Sequence, residues 1–395
     1  MLHIEEALRQ PIAPRGHALW QLGFRPFYLG AAVFAALSIG LWTLQMLGVL
    51  PRAYLAGPVW HAHEMIFGFA LAVIVGFLFT AGRNWTQQPT PTGRSLAALV
   101  GLWLAGRVLV LTPWGWAAAL ANVAFPLAAA AALAVPLVKS GNRRNYFFVA
   151  LLVAIGIASL LVHLGQLGLM AAPRRLGIQA ALDMLLFVLA VMGGRVIPMF
   201  TNNGVRGADA RRDPWVDRLA LGSVLALLAA DLFALKPVDI AGLAAIAALA
   251  HLVRLLLWQP WRTARVPLVW VLHLAYAWIP IHLALRALAA AGVVSSSPSV
   301  HALTAGALGG LVIGMMTRTS RGHTARPLKA DRWDIACYAL VALAALLRVL
   351  VPLVLPAAHP PALALSGLAW SLAFALFAVR YAPWLMGVRL DGRPG

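Results

Sequence analysis

The sequence of 395 residues contains one cysteine, Cys337. A single thiol excludes a disulfide framework, a cysteine-ligated iron–sulfur cluster, a CxxC redox pair and CxxCH haem attachment. Charge is scarce as well. Only 11% of residues are Asp, Glu, Lys or Arg, against about 25% in soluble domains. Acids are the scarcest, 12 against 31 Lys and Arg. No polar stretch is long enough to form a separate soluble domain. A Walker A loop, a GxSxG elbow, an HExxH pair and paired catalytic carboxylates are all missing, which removes the common hydrolase and nucleotide-dependent classes.

What remains is apolar. Hydrophobic residues make up 62% of the chain and the mean hydropathy is +0.83. Apolar runs long enough to cross a bilayer as helices recur over 27–48, 61–82, 95–112, 115–138, 146–169, 176–199, 215–235, 237–257, 267–290, 299–318, 334–355 and 362–382. The narrowest separation is Lys236-Pro237, between the seventh and eighth. The expected fold is all-α: one polytopic domain of about twelve transmembrane helices over 27–382, a lead-in over 1–26 and a tail over 383–395. The lead-in carries Glu5, Glu6 and three prolines, and lacks the apolar core and cleavage site of a secretory signal. Numbering the loops alternately from an inside N-terminus puts 20 Lys and Arg inside and 4 outside. That asymmetry predicts cytoplasmic termini. It also explains the formal charge of +19 as a topology signal, with anionic lipid heads and not nucleic acid as the partner.

A short phrase recurs at the inner ends of helices two, six and ten: Gly76-Phe77-Leu78-Phe79-Thr80, Val196-Ile197-Pro198-Met199-Phe200-Thr201 and Ile313-Gly314-Met315-Met316-Thr317. The threonines are 121 and 116 residues apart, which suggests three pseudo-repeats of four helices.

Ionisable side chains within spans are functional candidates by default. Helix two opens with Trp60-His61-Ala62-His63-Glu64-Met65. At about 100° per residue, His61 and His63 point in nearly opposite directions and suit two sites better than one. His61 shares a stripe with Gly68 and Ala72, which leaves room for a flat group. His163 lies above Gly156 and Ser159, a face suited to a porphyrin edge or to close helix packing. His301 stands above the ridge Gly306-x-x-x-Gly310-x-x-x-Gly314. His273 and His282 on helix nine, and His251 on helix eight, are lone histidines. Counting back from the three threonines, His63, Asp183 and His301 fall 17, 18 and 16 residues earlier. The expectation is an outer-leaflet polar centre built from His61 or His63, Asp183, His163, His282 and His301. Neutral imidazole, the form favoured by burial, ligates iron, copper or zinc. Arg107, Arg286 and Arg348 lie in the outer halves of their helices, where they would hold haem propionates or pair with Glu64, Asp183 or lipid phosphate.

These motifs resemble the NnrS family. The likeness is carried by the Trp60–Met65 phrase with Phe67-Gly68-Phe69, by Gly193-Gly194-Arg195-Val196-Ile197-Pro198-Met199-Phe200-Thr201-Asn202, and by His301-Ala302-Leu303-Thr304-Ala305-Gly306. Met315-Met316-Thr317-Arg318-Thr319-Ser320-Arg321-Gly322-His323-Thr324 and Gly23-Phe24-Arg25-Pro26-Phe27 complete it. The resemblance implies a bacterial inner-membrane protein containing haem and copper, linked to denitrification and relief of nitric oxide stress. It assigns no ligands. His323, in an inside loop, would need a second, cytoplasmic-side site. The chain is also similar in architecture to haem–copper oxidases and nitric oxide reductases, but it lacks an adjacent His-His pair and a His-Pro-Glu-Val-Tyr run. Three functions are then in play: a b-type haem and copper protein binding or reducing nitric oxide with an unidentified electron donor, a haem or copper transporter using Met192, Met199, Met315 and Met316, or a membrane sensor.

Overall fold

The computed structural model describes residues 18–50, 53–171 and 173–392. The expected lead-in falls largely outside these, as do Arg52 and residues 393–395. The described residues form twelve long helices: α1 Phe24–Met46, α2 Gly57–Thr86, α3 Gly93–Leu109, α4 Gly115–Lys139, α5 Phe147–Gln166, α6 Pro173–Gly204, α7 Pro214–Leu232, α8 Pro237–Leu257, α9 Pro267–Ala290, α10 Ser296–His323, α11 Arg332–Val354 and α12 His359–Met386. Proline at the first or second position starts several of them, α7, α8 and α9 among them, where its missing N–H is no loss. Lys236-Pro237 is a real break between α7 and α8. Asp213 caps α7 by accepting from Trp215 N at 2.8 Å and Val216 N at 2.9 Å. Asp331 and Asp334 form a reciprocal capping box at the start of α11.

Ten of the twelve are long and apolar enough to cross a membrane by themselves, two fewer than the sequence led us to expect. α3 has only 17 residues. α7 carries Asp217, Arg218 and Asp231. Its two acids are neutralised within the bundle: Asp217 lies 2.6 Å from Arg254 of α8, and Asp231 pairs with Arg286 of α9.

From α3 onward each helix packs on the next, and α12 returns to α1 and α11. Arg25 joins the ends. It is buried, and its guanidinium donates to the carbonyls of Leu385 at 2.9 Å and Gly387 at 2.7 Å, the position at a helix C-terminus that a cation favours. α2 is the most buried span, followed by α6, α9 and α10. Thr80, Thr201 and Thr317 lie in the last turns of α2, α6 and α10 and are held in the same way. Each hydroxyl donates to a carbonyl a turn earlier, and each meets a second helix through Phe24 N, His273 Nε2 or Tyr338 Oη. α2 and α10 share one irregularity. A seven-residue π turn follows His63 at Glu64–Ala70, and another follows His301 at Ala302–Leu308.

The glycine ridge of α10 serves packing. A Cβ on Gly310 would stand 2.6 Å from that of Ala275, and Gly314 lies against Val271 and Leu272 of α9. Gly242 of α8 has open space around it. Gly310→Ala is therefore expected to lower stability by about 1–3 kcal/mol through overpacking. Gly242→Ala should leave it unchanged or raise it by up to ~1 kcal/mol. Paired melting curves of the two variants in one detergent measure the difference.

Candidate functional site

His61, His63, His163, His282 and His301 lie at the end of the bundle away from the three threonines, where α2 and α10 begin and α5 ends. His63 is fully buried and its Nδ1 lies 2.8 Å from Glu64 Oε1. Glu64, also fully buried, has its other oxygen 3.3 Å from Arg107 Nε of α3. Arg107 in turn makes a short hydrogen bond to the side-chain oxygen of Asn122 on α4, and Asn122 donates to the Ala118 carbonyl at 2.8 Å. One chain of polar contacts thus ties three helices together and fixes the His63 ring.

His163 of α5 meets His63 edge to face, with ring centres 5.0 Å apart. Its Nδ1 is 3.1 Å from the Tyr54 hydroxyl, and the two rings are parallel within 3°. Tyr54 lies in the α1–α2 connection, pinned by its N–H on the Thr112 carbonyl at 3.0 Å and by Gln166 at 2.8 Å. Burial pushes the Tyr54 phenol up to about 12, so it keeps its proton.

The tautomers follow from the partners. A carboxylate accepts, so His63 carries its proton on Nδ1. The Tyr54 hydroxyl donates to the His163 carbonyl at 3.4 Å and accepts from His163 Nδ1. Both Nε2 atoms then present lone pairs. Neither has a hydrogen-bond partner. An imidazole whose other N–H is held by a carboxylate or hydroxyl is the usual arrangement of a metal ligand.

A second pair lies on the opposite side of α2. His61 faces His301 of α10, with ring centres 6.4 Å apart and planes within 12°. Trp42 of α1 stacks on His61 at 4.5 Å. His301 commits Nδ1 to the Ser297 carbonyl at 2.8 Å, which leaves Nε2 free. Both histidines line a cavity of about 410 Å³, walled mostly by apolar side chains such as Ile39, Met65, Phe69 and Trp370, with Arg348 on its wall. The volume is in the range of cofactor sites.

The single polar centre expected from the sequence is divided. Asp183 lies 2.5 Å from Arg286, which also grips Asp231, so this acid belongs to an ion cluster and not to either histidine pair. His282 Nδ1 donates to the Ser299 carbonyl at 2.8 Å. His273 bonds Thr201 at the threonine end, and His251 is satisfied by Tyr276 and the Ala220 carbonyl. His323 packs on Phe24 at that same end. Arg195 donates to Asn145 at 2.9 Å and stacks over Phe147 and Phe148. The spaces read from small residues are also filled. Gly68 makes room for the Arg107 guanidinium, and Gly156 lies against Leu127 and Pro126 of α4. Among the described residues no group of three or more His, Cys, Asp or Glu is placed to hold a metal ion; the sites are pairs. Tyr54, Trp42 and Asn122 are participants that no sequence pattern marks.

In comparisons with known proteins, the family model described as NnrS protein matches residues 18–389. No curated protein matches the chain.

Arg286 holds two acids on two other helices. Arg286→Ala is expected to reduce stability by about 3–5 kcal/mol, since both carboxylates lose their buried partner. Thermal denaturation of the variant beside the wild type measures the loss.

Proposed function

The chain belongs to the NnrS family, and from that premise we propose that it is a nitric-oxide-handling membrane protein of the bacterial inner membrane, with haem between His61 and His301 and copper at His63 and His163. The observation that carries this reading is the pairing itself: four imidazoles in two facing pairs, three of them with Nδ1 engaged by a neighbour. Two imidazoles on one metal ion at bonds of ~2 Å have ring centres roughly 5–6.5 Å apart, according to the angle between the two bonds, and both pairs fall in that range. The His61–His301 spacing of 6.4 Å with near-parallel planes fits that arrangement, and an apolar cavity adjoins it. The His63–His163 pair lacks the four ligands of structural zinc. Two neutral imidazoles in a dry setting suit copper, whose reduced ion tolerates few ligands.

When bound, the two metals would supply one-electron redox chemistry and an open coordination position for nitric oxide. The protein's own part is orientation and exclusion of water. Glu64 and Tyr54 fix the tautomers of His63 and His163. Arg107 holds the Glu64 carboxyl group in place. The surrounding apolar wall admits a small membrane-soluble gas from the lipid side. The finer topology belongs to the same reading: cytoplasmic termini, both histidine pairs in the outer half of the membrane, and three four-helix units. The matching π turns after His63 and His301 support the last of these.

The test is a reduced-minus-oxidised visible spectrum with metal analysis, with and without nitric oxide. His61→Ala and His301→Ala are expected to remove the haem bands and spare copper. His63→Ala and His163→Ala are expected to do the reverse and to abolish the nitric oxide response. Full haem in both His61→Ala and His301→Ala would overturn the assignment. Freely exchanging metal without redox-active haem would favour a transport role.

Tyr54→Phe removes only the hydroxyl that holds His163 Nδ1. It is expected to weaken copper by ~10–100-fold, read by competition with a chelator, with the haem spectrum unchanged.

A further inference from the structure

Arg107, Arg286 and Arg348 lie within spans at the histidine end, and their partners differ. Arg107 is held by Glu64. Arg286 is held by Asp183 and Asp231. Arg348, on α11, has no carboxylate within ion-pair distance among the described residues. Its hydrogen bond is a donation from Nη2 to Ser297 Oγ at 3.1 Å. A guanidinium has five N–H donors in a planar fork, and a half-buried cation without a counter-charge is disfavoured. Arg348 stands on the wall of the cavity that His61 and His301 line. Ser297 links them directly, since its carbonyl accepts from His301 Nδ1 while its hydroxyl accepts from Arg348. The rest of the wall is apolar apart from hydroxyls such as Thr304 and Ser366.

We infer that this cavity selects an occupant that is apolar over most of its surface and carries a carboxylate at the edge facing α11, and that Arg348 is the residue that recognises the carboxylate. The inference rests on the haem reading above and adds the group that orients the macrocycle. A carboxylate takes two parallel N–H donors of the fork. One end of the molecule is then fixed by charge, while the two imidazoles fix its centre. Lipid phosphate is the competing anion. Arg348 lies six residues inside the end of α11, roughly 9 Å along the helix axis, and faces the cavity that the histidines share.

The experiment uses metal-depleted full-length protein in detergent, titrated with ferric protohaem and with its dimethyl ester, which lacks both negative charges. Binding is followed by the Soret band. The wild type is expected to bind the diacid about tenfold or more tightly than the diester. Arg348→Gln keeps a donor for Ser297 and should lose that preference by weakening the diacid alone. Arg348→Lys should retain part of it. Equal affinities for diacid and diester in the wild type would overturn the inference without needing any variant. A preference that persists in Arg348→Gln would overturn it too, and assign the arginine to lipid. If neither compound binds, or if both bind equally well to His61→Ala and His301→Ala, the haem reading itself has failed.

Discussion

The Glu64 carboxylate is the fixed point of the histidine end. It is fully buried on the most buried helix of the bundle, where a carboxylate without partners is strongly disfavoured. It is tolerated because His63 and Arg107 meet it from two sides. Those contacts set further requirements. The Arg107 guanidinium occupies the space that a side chain at position 68 would take, so Gly68 is needed. Asn122 must hold the far end of Arg107. Trp103 must bond the Gly68 carbonyl at 2.9 Å, because that carbonyl lies within the π turn. Together these residues hold one imidazole by Nδ1, edge to face with His163, and leave its Nε2 without a partner.

The π turns explain why helical periodicity fails just below the histidines. A π turn holds an extra residue, so the face that follows is rotated relative to a regular helix, and such turns are frequent at functional sites. The stripe from His61 through Gly68 to Ala72 assumes a regular helix. In the structure Gly68 belongs to the Arg107 side, while His61 turns toward α1 and α10. The second π turn begins straight after His301. Both helices that supply the His61–His301 pair are therefore irregular at the same depth.

Much of the fold is legible in the sequence because lipid imposes one simple requirement on each span. The helices follow the apolar runs, and the Lys236-Pro237 break follows from proline. The status of α7 is not legible, since its acids are neutralised by Arg254 and Arg286 on other helices. The site divides along the same line. The opposite directions of His61 and His63 follow from helix geometry alone. Their partners depend on which helices meet, which periodicity does not encode. Asp183 precedes Thr201 by about as many residues as His63 and His301 precede their threonines, but spacing says nothing of direction around the axis, and Asp183 faces Arg286. Tyr54 lies in a short connection without any pattern.

One consequence of this arrangement is mechanical. His61 and His63 are two residues apart on one helix, so their backbones are separated by only ~3 Å along its axis. Each nevertheless faces a different partner helix, α10 for His61 and α5 for His63. No rotation of this segment of α2 improves one pair without moving the other. Trp42 stacked on His61 and Glu64 bonded to His63 clamp the segment from both faces. The Arg107–Asn122 contact extends the clamp to α4. A rotation or shift of this segment at either pair therefore displaces the other through three backbone residues, whereas loss of a single side chain leaves the contacts that hold the other pair in place.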